Sequence, residues 1–153
     1  TCMLLGGNFT DNGEVTGWKS FESLELAEKS IFVVKQDIRL LKEYVVKYWV
    51  DHIELMLSKH VVKTSEVRYV IPHVSSMFFY YELLKELELR NIDLGEDKWF
   101  TNLTWVGNMG SASIFVALEE LMRTKPLRKG DEILLLVPES GRFSYGTALL
   151  KVV

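Results

Sequence analysis

The sequence predicts an α/β fold in which helices pack on a mostly parallel β-sheet. Strand-like and helix-like segments alternate in the order strand, long helix, strand, helix, strand, helix, strand, strand. This alternation is typical of strand–helix–strand units, in which a crossover helix returns the chain to a parallel strand. The 153 residues are enough for one domain with its own core, and neither an internal repeat nor a shift in composition marks a second domain.

The N-terminal segment carries weaker signals than the rest of the chain. Residues 2–6 form a short strand-like run, and Asp11-Asn12-Gly13 is a strong turn signal. Residues 15–20 are therefore expected to form the second arm of a hairpin. A helical turn is expected over residues 23–29, whereas the apolar run 31–34 is compatible with more than one state.

A long helix is predicted over residues 35–59, because apolar residues recur there every three or four positions. At a rise of about 1.5 Å per residue this helix would be nearly 40 Å long and should line one face of the sheet. His52 lies within it and His60 at its end, and both are most simply solvent-exposed or helix-terminal residues.

The second half of the chain carries the clearer alternation. The expected elements are a strand over 67–71, a helix from Ser75 or Ser76 to about residue 89, a strand over 99–103, a helix over 111–122, and strands over 132–137 and 143–152. The strand over 132–137 is continuously apolar, which indicates that both of its faces are buried. The last two strands are expected to form an antiparallel hairpin.

Composition excludes several classes of function. The net charge is −3, from 18 basic and 21 acidic residues, so a basic field suited to nucleic acid is absent from the chain as a whole. The single cysteine, Cys2, excludes an internal disulfide framework, and three dispersed histidines give no metal-ligand spacing. No apolar run reaches the length of about 18 residues that suggests a membrane span, and no secretory signal is evident, so a cytoplasmic location is expected.

Two polar residues stand where an α/β fold places its functional sites, outside the carboxyl ends of strands. His73 follows the strand over 67–71, and Asn108 follows the next strand after an interval of 35 residues, one strand–helix–strand unit. Neutral imidazole and carboxamide groups both donate hydrogen bonds, so the pair could polarise a carbonyl and hold developing negative charge. The alternatives are that His73 is only a polar residue at a strand end and that Asn108 is a turn or N-cap residue.

Four segments together resemble β-ketoacyl-acyl-carrier-protein synthase III. Residues 66–73 (Glu-Val-Arg-Tyr-Val-Ile-Pro-His) resemble the strand that leads to that family's active-site histidine, and residues 104–114 resemble its Gly-Asn-Thr-Ser-Ala-Ala-Ser motif, which carries the active-site asparagine. Residues 127–136 resemble its penultimate strand, and residues 140–150 its closing Gly-Gly-Gly-Phe-Thr-Trp-Gly hairpin. The match over 66–153 holds in order and in spacing, while residues 1–65 fit by topology alone.

The resemblance implies a thiolase-like fold, which consists of two similar halves, each with a five-stranded mixed β-sheet flanked by helices. Residues 1–153 are then a single C-terminal domain, and the N-terminal half that bears the nucleophilic cysteine is missing, which would explain the abrupt start at Thr1. Cys2 does not lie in the nucleophile's motif and is not assigned that role. Intact members are expected to be homodimers.

The resemblance also implies an acyltransferase reaction. Cysteine accepts an acyl group from coenzyme A or acyl carrier protein, while histidine and asparagine, here His73 and Asn108, support malonyl decarboxylation and hold the thioester oxygen. No cofactor is expected besides these thioester substrates. The expected partners are the N-terminal half, acyl-coenzyme A and acyl carrier protein, without a nucleic acid or a membrane. The isolated chain is expected to be inactive.

Departures from the family pattern indicate a divergent branch. Ser76 stands where the family has an asparagine that helps position the pocket, and Phe78 replaces an arginine that helps dock the carrier protein. The glycine loop that borders the site becomes Glu139-Ser140-Gly141 followed by Arg142 and Phe143, so Ser76, Gly141, Arg142 and Phe143 are expected to contact substrate. Acyl transfer onto a hydroxyl or an amine, and a non-catalytic partner subunit of the same fold, remain alternatives.

Overall fold

A computed structural model describes residues 3–59 and 61–153 of the chain. The start of the first expected strand at residue 2 and the expectation for His60 therefore lie outside the described residues. The elements are β1 (Met3–Leu4), β2 (Gly7–Phe9), β3 (Val15–Gly17), α1 (Ser23–Glu28), β4 (Lys35–Gln36), α2 (Ile38–Ser58), β5 (Val67–Pro72), α3 (Met77–Leu89), α4 (Leu103–Val106), α5 (Ser113–Thr124), β6 (Glu132–Glu139) and β7 (Ser144–Lys151).

The N-terminal segment forms two small antiparallel sheets rather than one longer strand. β2 pairs with β3 across the predicted turn, where Gly13 adopts a φ of 80°, so a hairpin forms at the predicted turn, but its first arm is β2 and not the run over residues 2–6. Its second arm is shorter than expected, because residues Trp18–Ser20 turn into a 3-10 helix. β1 pairs with β4, a two-residue strand directly before α2 that the sequence pattern had assigned to the helix.

The long helix α2 is confirmed and begins at a polar cap. The side chain of Asp37 accepts hydrogen bonds from the backbone N–H groups of Arg39 and Leu40, which satisfies donors that the first turn leaves unpaired. Its buried stripe contains Leu41, Val45, Trp49, Ile53 and Met56, the periodic residues of the sequence. His52 is not simply solvated: its Nε2 lies 3.1 Å from the Thr147 hydroxyl on β7.

The central sheet has the order β5-β6-β7, with β5 parallel to β6 and β6 antiparallel to β7. This sheet is mixed, as predicted, but it holds three hydrogen-bonded strands in the described residues where five were expected. The prediction of a strand over residues 99–103 was wrong. The strand is reduced to a parallel bridge between Trp99 and Val70 and to a hydrogen bond from the Phe100 N–H to the Val70 carbonyl. The chain then turns into α4.

Both faces of the central sheet are covered by helices, which explains the continuous apolar run of β6. Leu134 and Leu136 point into a core formed with α2 and α3, and Ile133 and Leu135 point into a core formed with α5. The fold is therefore an α/β layer in which the parallel strands β5 and β6 end at the same edge of the sheet. No helix within residues 3–59 and 61–153 is both long enough and apolar enough to cross a membrane.

Leu134→Ala should lower the free energy of unfolding by about 2–5 kcal/mol, because Leu134 is 1% exposed and truncation leaves a cavity between β6 and its helices. Leu89→Ala on α3 is the matched control, since Leu89 is 68% exposed. Its effect should stay within about 0.5 kcal/mol. Urea denaturation of the two variants measures the difference, and equal losses would contradict this assignment of the core.

Candidate active site

His73 lies at the carboxyl end of the parallel strand pair, as the sequence predicted. It directly follows Pro72, the last residue of β5. Its backbone N–H donates to the carbonyl of Leu136 on β6 at 2.8 Å, which extends the strand pairing by one residue. The position of the imidazole is therefore set by the sheet, and the flanking Pro72 and Val74 are buried.

The environment of His73 favours its neutral form. The imidazole is half-buried, and burial lowers the pKa of His73 below its ordinary value of 6.5. Its Nδ1 is buried and has no hydrogen-bond partner within residues 3–59 and 61–153. A proton on Nδ1 would be a buried donor without an acceptor, so the arrangement favours the tautomer that carries the proton on Nε2.

Asn108 does not directly follow a strand. The chain passes from the bridge at Trp99 through α4 and then reverses at Gly107, whose φ of 85° lies in the left-handed region that favours glycine. The sequence suggested a strand here because residues 99–103 are rich in large side chains. The helical turn forms instead because the Asn102 carbonyl accepts the N–H groups of Trp105 and Val106.

The carboxamide of Asn108 has a defined orientation. Its Oδ1 accepts hydrogen bonds from the Gly110 backbone N–H at 3.0 Å and from the Ser113 hydroxyl at 3.3 Å. The Ser113 hydroxyl in turn accepts the backbone N–H of Met109 at 2.8 Å. The interpretation of Asn108 as a turn residue is therefore correct for its Oδ1. Asn108 is exposed, and its Nδ2 remains as a hydrogen-bond donor.

The structure brings His73 next to the loop that carries Asn108. His73, Gly107 and Ser113 line one small cavity of about 10 Å³. Gly107 precedes Asn108 in the chain, and Ser113 is hydrogen-bonded to its side chain. The expected sharing of one carbonyl oxygen by His73 and Asn108 stays a prediction.

The closing hairpin contributes a second wall next to His73. Pro138 and Ser140 line a cavity of about 60 Å³ with His73, on the side of α2 and α3. The Glu139 carboxylate accepts the backbone N–H groups of Gly141 and Arg142, which fixes the tip of the hairpin. A larger groove of about 690 Å³ between α3 and residues 91–99 includes neither His73 nor Asn108.

Phe143 packs against α2 and lines neither of the two cavities beside His73. It adopts a φ of 55°, and its ring packs edge-on against Tyr44 and Tyr48 with centroid distances of 6.5 and 6.0 Å. Ser76 precedes α3 as predicted, but its side chain makes no capping hydrogen bond. Substrate contacts by Ser76, Gly141, Arg142 and Phe143 stay predictions.

Two features of this region were missed from the sequence. Trp49 is 1% exposed and lines the 60 Å³ cavity with His73, although its periodicity identified it only as a core residue. Glu120 on α5 accepts hydrogen bonds from Asn102 and Trp105, both near Asn108 in the chain. The only signal in the sequence is that Asn102 lies among apolar residues such as Phe100 and Leu103, where a buried amide would need a hydrogen-bond partner. Within the described residues no group of three or more His, Cys, Asp or Glu side chains is arranged to hold a metal ion.

Solved structures with a similar fold include synthase III enzymes that are named for acyl carrier protein. The crystal structure of 3-oxoacyl-(acyl carrier protein) synthase III from Xanthomonas oryzae matches 77% of this chain and 33% of its own, with a TM-score of 0.65 and 25% identity. The crystal structure of β-ketoacyl-[acyl carrier protein] synthase III from Thermus thermophilus matches 99% of this chain and 46% of its own, with a TM-score of 0.67. At 16% identity, the second likeness concerns the fold alone.

A family model described as the C-terminal part of 3-oxoacyl-[acyl-carrier-protein] synthase III matches residues 57–152. The chain belongs to this family of C-terminal domains, so the resemblance found in the sequence is confirmed. Curated relatives include β-ketoacyl-[acyl-carrier-protein] synthase III of Clostridium kluyveri, 29% identical over 121 residues, and that of Clostridium beijerinckii, 34% identical over 90 residues. The matched regions cover 79% and 59% of this chain but only 36% and 26% of these relatives.

The imidazole of His73 should titrate below the pKa of an unstructured histidine. Because the unfolded chain then binds more protons between the lowered pKa and about 6.5, the free energy of unfolding should fall as the pH drops through this window. The Cε1–H resonance of His73, followed by NMR against pH, measures the folded value, and the same resonance in urea provides the reference. A folded midpoint at or above the urea midpoint would contradict the burial argument.

Proposed function

We propose that this chain is the C-terminal catalytic domain of a β-ketoacyl-acyl-carrier-protein synthase III-like enzyme, in which His73 and Asn108 act on a malonyl thioester. The observation that carries the proposal is that His73 lines one small cavity with Gly107, which precedes Asn108, and with Ser113, which is hydrogen-bonded to the Asn108 side chain. Membership in the family of C-terminal domains supports the same reaction class. Each of the two side chains offers a nitrogen donor, because the bonds to Asn108 use its Oδ1 and the buried Nδ1 of His73 favours a proton on Nε2.

The two donors stabilise the charge that forms during decarboxylation. As the bond between the malonyl α-carbon and its carboxylate breaks, carbon dioxide leaves and the electron pair moves into an enolate of the thioester. The negative charge gathers on the thioester oxygen, where His73 Nε2–H and Asn108 Nδ2–H donate hydrogen bonds. A neutral imidazole is suited to this role, because it offers a donor without a full charge and the burial of His73 lowers its pKa.

Carbon–carbon bond formation completes the cycle. The enolate carbon attacks the acyl carbon of a cysteine thioester, the carbonyl reforms, and the cysteine thiolate leaves. In this proposal the nucleophile is supplied by an N-terminal half of the protein, since the chain matches the C-terminal part of the family. Cys2 lies outside both the described residues and the segments that resemble the family's motifs.

The surface offers apolar side chains that such an N-terminal half could cover. Phe115 and Met122 on α5 are 67% and 60% exposed, and the consecutive residues Phe32, Val33 and Val34 are also exposed. Apolar side chains in groups of this kind mark interaction surfaces more often than isolated ones do. In the intact protein, docking of the N-terminal half and homodimer formation would bury part of this surface.

The acyl donors and acceptors are thioesters of coenzyme A or of acyl carrier protein. Carrier docking at Phe78 is weak in this proposal, because Phe78 is exposed and uncharged where relatives of the resembled family have an arginine. The Lys42 ammonium lies 5.8 Å from the centre of the Phe78 ring. Lys42 therefore supplies a positive charge close to this position.

In the intact protein, His73→Ala and Asn108→Ala should each lower the rate of malonyl decarboxylation by about 10²–10³-fold, because each removes one donor to the developing oxyanion. Release of carbon dioxide from a labelled malonyl thioester measures the rate. His52→Gln is the control, since His52 contacts Thr147 and lies outside both His73 cavities. Rates within a factor of two of the parent protein for both alanine variants would refute the assignment.

The isolated 153-residue chain should not turn over an acyl-coenzyme A and malonyl substrate pair, because it has no segment that resembles the nucleophile's motif. A spectrophotometric assay for released coenzyme A measures turnover. Addition of a separately expressed N-terminal half should restore it. Turnover by the isolated chain would show that the nucleophile lies within these 153 residues.

A further inference from the structure

We infer that Glu120 is a positioning residue for the Asn108 loop, through a carboxylate clamp that holds the start of α4. The clamp consists of Glu120, Asn102 and Trp105. This inference rests on the proposed function insofar as Asn108 takes part in the reaction. The hydrogen bonds of the clamp do not depend on that function and can be tested separately.

The clamp uses each carboxylate oxygen once. Oε2 of Glu120 accepts a hydrogen bond from Nδ2 of Asn102 at 2.8 Å, and Oε1 accepts one from Nε1 of Trp105 at 3.0 Å. Asn102 is 5% exposed, so its amide has little access to water and depends on a protein partner. The two donors reach different oxygens of Glu120, and a carboxylate supplies an acceptor at both positions.

The clamp is transmitted to Asn108 through one helical turn. The Asn102 carbonyl accepts the N–H groups of Trp105 and Val106, at 3.2 and 2.9 Å, and the Leu103 carbonyl accepts the Gly107 N–H at 3.0 Å. Gly107 is the residue before Asn108. A helix of four residues is not stable by itself, because nucleation is costly and few hydrogen bonds repay it. An anchor outside α4 is therefore needed to fix where Gly107 and Asn108 lie.

α5 provides that anchor. Ile114, Ala117 and Leu121 of this helix are buried against the central sheet, so the backbone that carries Glu120 is held rigidly. The hydrogen bond from Asn102 lowers the pKa of Glu120, which keeps the carboxylate ionised at neutral pH. Arg123, one turn further along α5, adds a favourable charge and is also paired with Glu119 at 3.4 Å.

The same helix holds the other end of the loop. Ser113, the first residue of α5, donates to Oδ1 of Asn108 and accepts from the Met109 N–H. The loop from residue 102 to residue 113 is thus attached to α5 at both ends. Glu120 binds the start of the loop through Asn102, Ser113 begins α5 at the end of the loop, and Asn108 lies between them.

The test exchanges the hydrogen-bonding groups. Glu120→Gln has the same shape but presents one acceptor and one donor group to two donors, so one bond must be lost. The double variant Asn102→Asp with Glu120→Gln restores both bonds, because the Gln amide then donates to the Asp and accepts from Trp105. Glu119→Gln is the control on the neighbouring position, since Glu119 contacts Arg123 and not the clamp.

NMR of the chain reads the clamp directly, through the indole N–H of Trp105 and the backbone N–H groups of Gly107, Met109 and Gly110. We expect Glu120→Gln to shift these resonances and to speed their hydrogen exchange, the double variant to restore both, and Glu119→Gln to leave them unchanged. Unshifted loop resonances in Glu120→Gln, or a double variant that behaves as the single one does, would overturn the clamp.

Kinetics of the intact enzyme then separates the clamp from the proposed function. Glu120→Gln should lower kcat by about 10²-fold at nearly constant KM, as misplacement of a catalytic group by about 1 Å does, and the double variant should recover it. Loop resonances that respond while kcat stays unchanged would refute the role of Asn108 and leave the clamp intact. A loss of kcat that the double variant does not recover would overturn the positioning role.

Discussion

The parallel pairing of β5 with β6 is the constraint on which the rest of the structure depends. It extends through the hydrogen bond from the His73 N–H to Leu136 and so fixes the histidine. On one side of the pair, Val70 bridges to Trp99 and thereby sets the start of the segment that leads to Asn108. On the other side, β7 closes the sheet and returns the hairpin tip to His73. Helices on both faces exclude water from this strand pair, which explains why β6 is continuously apolar and does not alternate with polar residues.

Local patterns were sufficient for the parts of the fold that depend on local physics. The periodicity of α2, the uninterrupted apolar run of β6 and the turn at Gly13 each report a single element and its burial. The prediction for residues 99–103 failed because their structure depends on a contact that is distant in the sequence. Their large side chains favour a strand, but the buried Asn102 finds its partner in Glu120, 18 residues further along the chain. A hydrogen bond at that separation leaves no periodic signal in the sequence.

In the candidate site, too, positions set by local structure could be predicted, whereas positions set by contacts distant in sequence could not. His73 was predictable because a residue directly after a buried parallel strand has little freedom in where it lies. Asn108 was located correctly only in its neighbourhood, since a helical turn and a left-handed glycine intervene. The direction of Phe143 could not be foreseen, because it depends on packing against Tyr44 and Tyr48 of a helix about 100 residues earlier. The apolar run 31–34 stayed undecided because Ile31 is buried whereas the next three side chains are exposed, which fits neither a helical nor a strand period.

The hydrogen bonds to Oδ1 of Asn108 have a consequence for the chemical durability of the site. They orient the carboxamide so that its oxygen faces the protein and its nitrogen faces outward. Deamidation would replace that outward nitrogen with a second oxygen of almost the same size. The bonds from Gly110 and Ser113 would persist and the fold would be preserved, yet a hydrogen-bond donor would have become a negatively charged acceptor. A difference of one atom would thus convert a group that attracts an oxyanion into one that repels it.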